Sequence, residues 1–349
     1  MTDKPDIRSR SLTELETLLA FWSEPRFRAK QVYEWLWVKG ATDWEAMSNV
    51  PKALKTQLAE HFTFNALIED KTQHSADGTI KSRWLTYDGH RIESVLIPVA
   101  EDDRFTVCVS TQVGCSLTCA FCATGQMGRK RNLSAAEIFD QVVGVNRQCL
   151  ESFGKPLTNV VYMGMGEPLL TYSGTMESIQ RITAPAPDGL GMGARRITVS
   201  TAGIAKMIRK LADDGFRCNL ALSLHAADDG KRNEIMPINE SNNLEALMES
   251  LEYFYWKTKG RISYEYIAFD GFNDSLEDAA KLVQLCRRRF PVRLNIIEYN
   301  PIAGLSFVKS DENRLNAFAA YLVKEDVTVT VRRSRGKDID AACGQLANK

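Results

Sequence analysis

From about residue 105 to residue 334 the sequence alternates strand-like and helix-like runs, and this alternation restricts the fold more than any other feature. Strand candidates are Phe105–Thr111, Asn159–Gly164, Arg196–Thr201, Asn219–His225, Ser263–Phe269, Leu294–Tyr299 and Val327–Arg332. Helix candidates fall between them at 134–149, 203–214, 243–257, 275–289 and 311–324. Ser134-x-x-Glu137 and Ser275-x-x-Asp278 read as capping boxes opening two of these helices. Repeated βα units predict an α/β fold with a parallel sheet, open or curled into a full or partial barrel. In such folds the chemistry lies on the loops at the C-terminal ends of the strands. No internal repeat of fixed period interrupts the pattern, and Ala184–Gly193 reads as a flexible connection.

Upstream the period changes. Residues 1–70 read as a helical accessory domain. Ser11-x-x-Glu14 opens Leu12, Leu15, Leu18, Leu19 and Trp22 at helical spacing, a second helix follows Pro25, and a third runs from Lys52 to about His61. Arg26, Arg28 and Lys30 stand beside Phe27, Tyr33, Trp35 and Trp37; this is either a basic, aromatic contact face or ordinary core with solvated charges. Residues 75–100 read as a β-hairpin extension, with two strand-like runs flanking Asp88-Gly89. On its second strand Glu93 shares a face with Val95 and Ile97. Burial there would raise its pKa and suit it to accept a proton; on an edge strand it would stand in water. Residues 101–349 form the expected catalytic barrel plus a C-terminal segment.

Composition excludes several classes. Lys plus Arg and Asp plus Glu both number 44, so the net charge of zero gives no global pull toward nucleic acid, and any RNA grip must be local. The polar N-terminus lacks a signal core and no apolar run suits a membrane helix, so the expected location is the cytoplasm and no membrane contact is expected. Four histidines make a His-rich metal site or a His-based triad a poor first reading.

The cysteines are more informative. Three of the eight, Cys115, Cys119 and Cys122, fall in one loop after the first barrel strand with C-x3-C-x2-C spacing. In a cytosolic chain such a group indicates metal or redox chemistry rather than disulfides. A [4Fe–4S] cube and a structural zinc both need four ligands. Three cysteines therefore leave one iron of a cube open, or leave a zinc to be completed by Cys108 or His225. No second C-x2-C pair is present, which favours the cube. With Phe121 before the third cysteine the loop reads C-x3-C-x-Φ-C, and it resembles the signature of the radical S-adenosylmethionine superfamily. There the open iron binds the amino and carboxylate groups of S-adenosylmethionine, and one electron cleaves a C–S bond to give an adenosyl radical.

Other residues gather at the expected strand ends. Gly166 and Glu167, in Gly164-Met-Gly-Glu-Pro168, offer close backbone approach and a carboxylate for an ammonium group. They match the GGEP-type motif of that superfamily. Ser200, Ser223, Leu224, His225 and Asn300 fall where a nucleoside cofactor would lie, though each alone reads equally as a turn or packing residue. Cys108 alternates with Val107 and Val109, so it points inward if the apolar face packs on helices. Cys343, beyond the last strand, is either an incidental small residue or a reagent.

Taken together, VSTQVGCSLTCAFCATG, VYMGMGEPL, ITVSTAGI, LALSLHA, MPIN, LNIIEYNP and DIDAACGQL resemble the RlmN/Cfr family, ribosomal RNA adenine methyltransferases of the radical S-adenosylmethionine class. The resemblance covers the barrel, the hairpin and the helical domain. It implies a partial (β/α) barrel of the radical SAM type with a small helical N-terminal domain and a β-hairpin extension. It implies one [4Fe–4S] cluster on Cys115, Cys119 and Cys122, and two S-adenosylmethionine molecules per turnover. Gly166, Glu167, Ser200, Ser223, Leu224, His225 and Asn300 would contact the cofactor. Cys343 would carry the methyl group, Glu93 would take the ring proton, and Cys108 would form a disulfide with Cys343 that releases the product. The implied partners are 23S rRNA, tRNA as a second substrate, and an electron donor such as flavodoxin; nothing suggests an obligate oligomer. Pro168 resembles the C2-methylating branch, with the C8-methylating branch as the alternative and a zinc-stabilised RNA-binding module as the non-enzymatic one. Arg129-Lys130-Arg131 and Arg332, Arg333, Arg335 and Lys337 are candidate phosphate contacts, or else solvated surface.

Overall fold

The computed structural model describes residues 4–348. The chain opens with helices α1 (Leu12–Phe21), α2 (Phe27–Trp37) and α3 (Lys52–His61). Ser11 and Glu14 close a reciprocal capping box on α1, with Ser11 N–H donating to Glu14 at 2.7 Å and Glu14 N–H donating back at 3.2 Å. Strands β1 (Ile68–His74), β2 (Ile80–Leu85), β3 (Arg91–Val99) and β4 (Arg104–Cys108) follow. A small antiparallel pair, β5 (Gln112–Val113) and β6 (Arg131–Asn132), brackets the cysteine loop. The remaining elements are α4 (Ala135–Phe153), β7 (Asn159–Tyr162), α5 (Tyr172–Thr183), β8 (Ile197–Thr201), α6 (Ala205–Asp213), β9 (Asn219–Ser223), α7 (Asp229–Ile235), α8 (Leu244–Thr258), β10 (Ile262–Ala268), α9 (Leu276–Cys286), β11 (Val292–Glu298), α10 (Glu312–Lys324) and β12 (Val329–Arg332).

One sheet runs β1-β2-β3-β4-β7-β8-β9-β10-β11-β12. The first four strands pair antiparallel, and from β4 to β12 every pair is parallel. Among the described residues β1 and β12 do not pair with each other, so the sheet is a partial barrel carrying an antiparallel extension. The extension has three strands rather than a two-stranded hairpin. β1 escaped the sequence reading because Ile68-Glu-Asp-Lys-Thr-Gln-His74 is polar and mostly exposed, as an edge strand can be.

Register divides the parallel strands into two faces. Val107, Val160, Val199, Leu220, Leu222, Tyr264, Tyr266, Leu294 and Ile296 are all fully buried against the helices. Each contributes about 1.5–3 kcal/mol by leaving water, so much of the fold's stability lies on this outer face. The alternate residues are Cys108, paired with Val161, then Thr198, Ser200, Ser223, Glu265 and Asn295. Val161, Ala221, Ile267 and Ile297 share this inner face, so polar groups are set among apolar ones there, a placement that a purely packed core would avoid. The helical domain docks through Arg8, which is buried and ion-paired with Asp140 at 2.5 Å and Asp6 at 3.0 Å. Trp37 packs edge-on against Phe139 of α4, with ring centroids 5.1 Å apart. Tyr33 and Trp37 are therefore core, whereas Phe27 is exposed beneath the Arg28 guanidinium.

Candidate functional site

The cysteine loop leaves the top of β4. β5 and β6 pinch its base, and Gly114 makes the pinch possible: its φ is +73°, and a Cβ would lie 1.9 Å from the Gly128 carbonyl oxygen. Inside the loop Cys122 N–H donates to Cys119 O at 3.2 Å, and Ala120 N–H donates to Ile235 O at the end of α7 at 2.9 Å. Burial pushes the Cys115 thiol up to about 11, and the charges of Cys122 and Glu167 add to it. Burial likewise raises Cys119, which senses both other cysteines, and Cys122. Three thiols set in an apolar wall with Leu117, Phe121, Ala202, Ile235 and Met236 resist ionisation unless a cation takes them as thiolates. Among the described residues no three His, Cys, Asp or Glu side chains close on one point as a single ion requires. The donor set is three sulfurs that sense one another's charge, the soft thiolate chemistry that an iron–sulfur cluster takes.

The C-terminal segment 334–348 crosses the open side of the barrel. Ala123 N–H donates to Gly344 O at 2.8 Å, and Thr124 Oγ1 donates to Leu346 O at 2.6 Å, so this segment is stitched to the cysteine loop. On its other side Gly336 N–H donates to Asp77 at 2.8 Å, and Asp338 accepts from Ser75 Oγ at 2.5 Å. Cys343 sits between these attachments. It is exposed at the surface, but the protein around it raises its pKa by desolvation, Glu265 adding to the effect and Arg332 opposing it. Cys108 is buried on the inner face, and burial plus the Cys343 charge push its thiol up to about 12. The two thiols are therefore electrostatic neighbours, and both are free in this structure.

Glu93 is fully buried, not on a wetted edge. Register sets it two residues from Val95, the partner of Cys108, on the same face. Its Oε2 accepts from Ala347 N–H at 2.9 Å and Asn348 N–H at 3.1 Å. Among the described residues no hydrogen bond reaches Oε1, which lies 3.6 Å from the Lys81 ammonium.

The residues expected to face a nucleoside line up at the ends of β7 to β11. Gly166 has φ +94°, and a Cβ there would lie 2.5 Å from the Gln112 side chain. Glu167 is buried, which raises its pKa, and it accepts from Leu169 N–H at 3.1 Å and Ala202 N–H at 2.8 Å. Ser200 Oγ and Ser223 Oγ are 3.2 Å apart. Leu224 is fully buried, so it can offer only backbone. His225 has φ +55°, and its Nδ1 accepts from Ile267 N–H at 3.0 Å, which places the ring proton on Nε2. Burial pushes its pKa down to about 3, with Arg232 adding to the shift, so the ring is neutral. Asn300 is buried and donates to Ser334 Oγ at 3.0 Å.

Two readings of the basic runs need correction. Arg131 is no phosphate ligand: its guanidinium is taken by Asp88 at 2.5 and 2.9 Å and by Glu137 at 2.7 and 2.9 Å. Arg333 and Lys337 are held by Glu298 at 2.7 and 2.9 Å. Arg129 and Lys130 remain exposed. Sequence reasoning passed over Lys81, Arg232, Glu265 and Glu298. Glu265 could have been found, since Tyr264-Glu-Tyr266 sets a carboxylate between two outward aromatics on an expected strand. Lys81 and Arg232 gave no such signal, because their partners are distant or are backbone carbonyls.

The partial barrel, with three cysteines on the loop after its first parallel strand, defines an enzyme of the radical S-adenosylmethionine class. Comparison with known proteins agrees and goes further. Residues 109–283 match the model of the Radical SAM superfamily, and residues 6–64 match that of the ribosomal RNA large subunit methyltransferase N-terminal domain. A relative in Cytophaga hutchinsonii, a probable dual-specificity RNA methyltransferase RlmN, is 50% identical over 99% of this chain and 93% of its own. A dual-specificity RNA methyltransferase RlmN of Anaeromyxobacter dehalogenans is 44% identical over 99% and 92%. The crystal structure of a radical SAM methyltransferase from Sphaerobacter thermophilus superposes with a TM-score of 0.92 at 40% identity, covering 99% of this chain and all of the other. The chain belongs to the RlmN family of radical SAM methyltransferases. Membership sets aside the non-enzymatic zinc module. No helix among the described residues is long and apolar enough to cross a membrane.

Proposed function

We propose that this protein methylates C2 of an adenosine in 23S rRNA, and an adenosine of tRNA, through a methyl group carried on Cys343. The observation that carries the reading is the placement of the Cys343 segment. It is bonded directly to the cysteine loop and lies beside Cys108, while its last residues cap Glu93.

Cys115, Cys119 and Cys122 would hold one [4Fe–4S] cluster, and Gly166, Glu167, Ser200, Ser223, Leu224, His225 and Asn300 would cradle S-adenosylmethionine against it. When bound, this pair supplies a methyl cation for a thiolate and, after one electron from a donor such as flavodoxin, a radical able to remove hydrogen from an S-methyl group; two S-adenosylmethionine molecules are consumed per turnover. Adenine C2 is not nucleophilic, so polar transfer cannot methylate it, and a thiol that presents the carbon as a radical can.

The chain's own groups do the rest. Cys343 presents its sulfur inward from the crossing segment. Glu93 Oε1, buried, 3.6 Å from the Lys81 ammonium and with no hydrogen-bond donor among the described residues, is the acceptor for the ring proton. Once Glu93 has taken the ring proton, the one unpaired electron left on the adduct would return along the path that delivered it, leaving a closed-shell thioether. Cys108 then attacks the Cys343 sulfur: an S–S bond forms, the S–C bond breaks, and the carbon leaves with the electron pair and takes the proton given up by the Cys108 thiol as the new methyl group; a dithiol reductant resets the disulfide. His225 acts as a neutral Nε2–H donor across the working pH range. A target base must leave its stack to reach the barrel. Exposed Arg129 and Lys130 on the cysteine loop suit phosphates, and on the helical domain Arg26, Lys30 and the exposed Phe27 beneath Arg28 suit phosphates and an unstacked base.

Nucleoside mass spectrometry on RNA from a deletion strain tests the reading. The gene should restore 2-methyladenosine in 23S rRNA and tRNA, and Cys343→Ala should restore none while keeping its iron. Product from Cys343→Ala, or 8-methyladenosine instead, would refute it.

A further inference from the structure

Arg232 is the most deeply buried cation of the barrel, and no catalytic step uses it. It sits on α7 with no exposed surface. Its Nε donates to Leu224 O at 3.0 Å, Nη1 to Asn239 Oδ1 at 2.6 Å, and Nη2 to Ala202 O at 2.5 Å and Ser223 O at 3.1 Å. All four acceptors are neutral, and among the described residues no carboxylate lies within ion-pair distance of this guanidinium. A buried charge without a counter-charge is costly, and structures keep one only where something compensates it.

The compensation lies on the neighbouring loop. Ile235, one turn beyond Arg232 on the same helix, accepts the Ala120 N–H at 2.9 Å, so α7 is bonded to the residue next to Cys119. Ile235 and Met236 line the apolar wall on which Cys119 and Cys122 pack, which keeps the intervening medium poor in water. Burial lowers the Arg232 pKa only to about 10, and the Cys119 charge works against that loss, so the cation is present at neutral pH. Asp229 is its nearest carboxylate influence and is exposed.

We propose that Arg232 is the built-in counter-charge of the iron–sulfur cluster, stabilising the form that has gained an electron and so raising the cluster's reduction potential. The inference rests on the cluster reading above. Its physical basis is general: each added electron makes a thiolate-ligated cluster more negative, and net charge and burial set its potential. The same guanidinium fixes the Ala202, Ser223 and Leu224 carbonyls, which ties the cofactor cradle to this charge.

The test is an anaerobic redox titration of the reconstituted holoprotein followed by electron paramagnetic resonance, after iron and sulfide have been assayed. Arg232→Gln removes the charge and keeps a donor. At a fixed donor potential its reduced-to-oxidised ratio should fall at least tenfold, which is 59 mV for one electron. Arg232→Lys keeps the charge and should stay within about twofold of wild type, a far smaller change than that tenfold step. Asp229→Asn removes an opposing charge and should shift the potential upward at low ionic strength. A wild-type potential in Arg232→Gln overturns the proposal, as does an Arg232→Lys potential as low as that of the glutamine variant, which would make the effect one of packing. Should Arg232→Gln not fold, Asp229→Asn decides: an unchanged or lowered potential overturns the proposal. Absence of iron and sulfide from the wild-type protein would instead defeat the cluster reading beneath it.

Discussion

Glu298, at the end of β11, is the strongest electrostatic anchor of the segment that carries Cys343. Its Oε1 accepts from Arg333 at 2.7 Å and lies 3.2 Å from the Lys309 ammonium, and its Oε2 lies 2.9 Å from the Lys337 ammonium. Burial by itself would raise this carboxyl, but Lys337, Arg333 and Lys309 outweigh it and hold the pKa at about 2, against an ordinary 4.5. The difference of about 2.5 units is worth about 3.4 kcal/mol at about 1.36 kcal/mol per unit. The three cations are 41%, 57% and 50% exposed. Solvent screening therefore cuts the expected cost of Glu298→Gln to about 1.5–2 kcal/mol. A depressed carboxyl stabilises the fold above its unfolded pKa and loses that contribution as pH falls through its folded one. The gap between wild type and Glu298→Gln should thus be full at pH 7 and shrink to about a quarter near pH 2.5. Urea unfolding of the cluster-free chain at the two pH values measures it. Equal midpoints at pH 7, or a gap that does not narrow in acid, would show that the three cations do not hold this carboxylate.

Further outcomes follow from the site. Cys108→Ala should leave the base tethered to Cys343, seen as a protein–RNA adduct on denaturing gels; free turnover would remove its resolving role. Glu93→Gln should likewise stall after the carbon has been added, and a wild-type rate counts against proton transfer to that carboxylate. His225, neutral in the fold down to about pH 3, takes up a proton on unfolding below about 6.5, so stability should fall as pH drops between those values. His225→Gln should flatten that limb by up to about 1.4 kcal/mol per pH unit, and an unchanged slope in acid titrations would contradict the burial argument.

The barrel was legible because its signals are local. Val107, Val160, Val199 and Leu222 stand in short runs of β-forming residues, and the Ser134 and Ser275 capping boxes announce their helices three residues ahead. Two helices were missed for local reasons too. α5 opens Tyr-Ser-Gly-Thr, poor helix formers, and α7 is seven residues long with a glycine second. What could not be read was contact across the chain. Ala347 meets Glu93 from 254 residues away, and Asp88 takes Arg131 from 43 residues away. The charge run Arg129-Lys130-Arg131 says nothing about a carboxylate in a distant turn, so the phosphate reading of Arg131 failed where a buried partner existed. The cysteine spacing was readable because one loop carries all three; Cys343 was reached only through the family resemblance, because its attachment to that loop is a contact across the chain.

The two-faced sheet has an evolutionary corollary. Outward valines, leucines and tyrosines carry the apolar burial, while the inward serines and cysteine add little to it; the buried Asn295–Glu265 hydrogen bond at 2.7 Å is the inward contact whose loss would leave a polar group unpartnered. The other inward positions can therefore be rewritten with modest thermodynamic penalty, and a new reaction can be tried on an old scaffold one side chain at a time. Changes on the outward positions have no such latitude, because each would forfeit the burial of a whole apolar side chain.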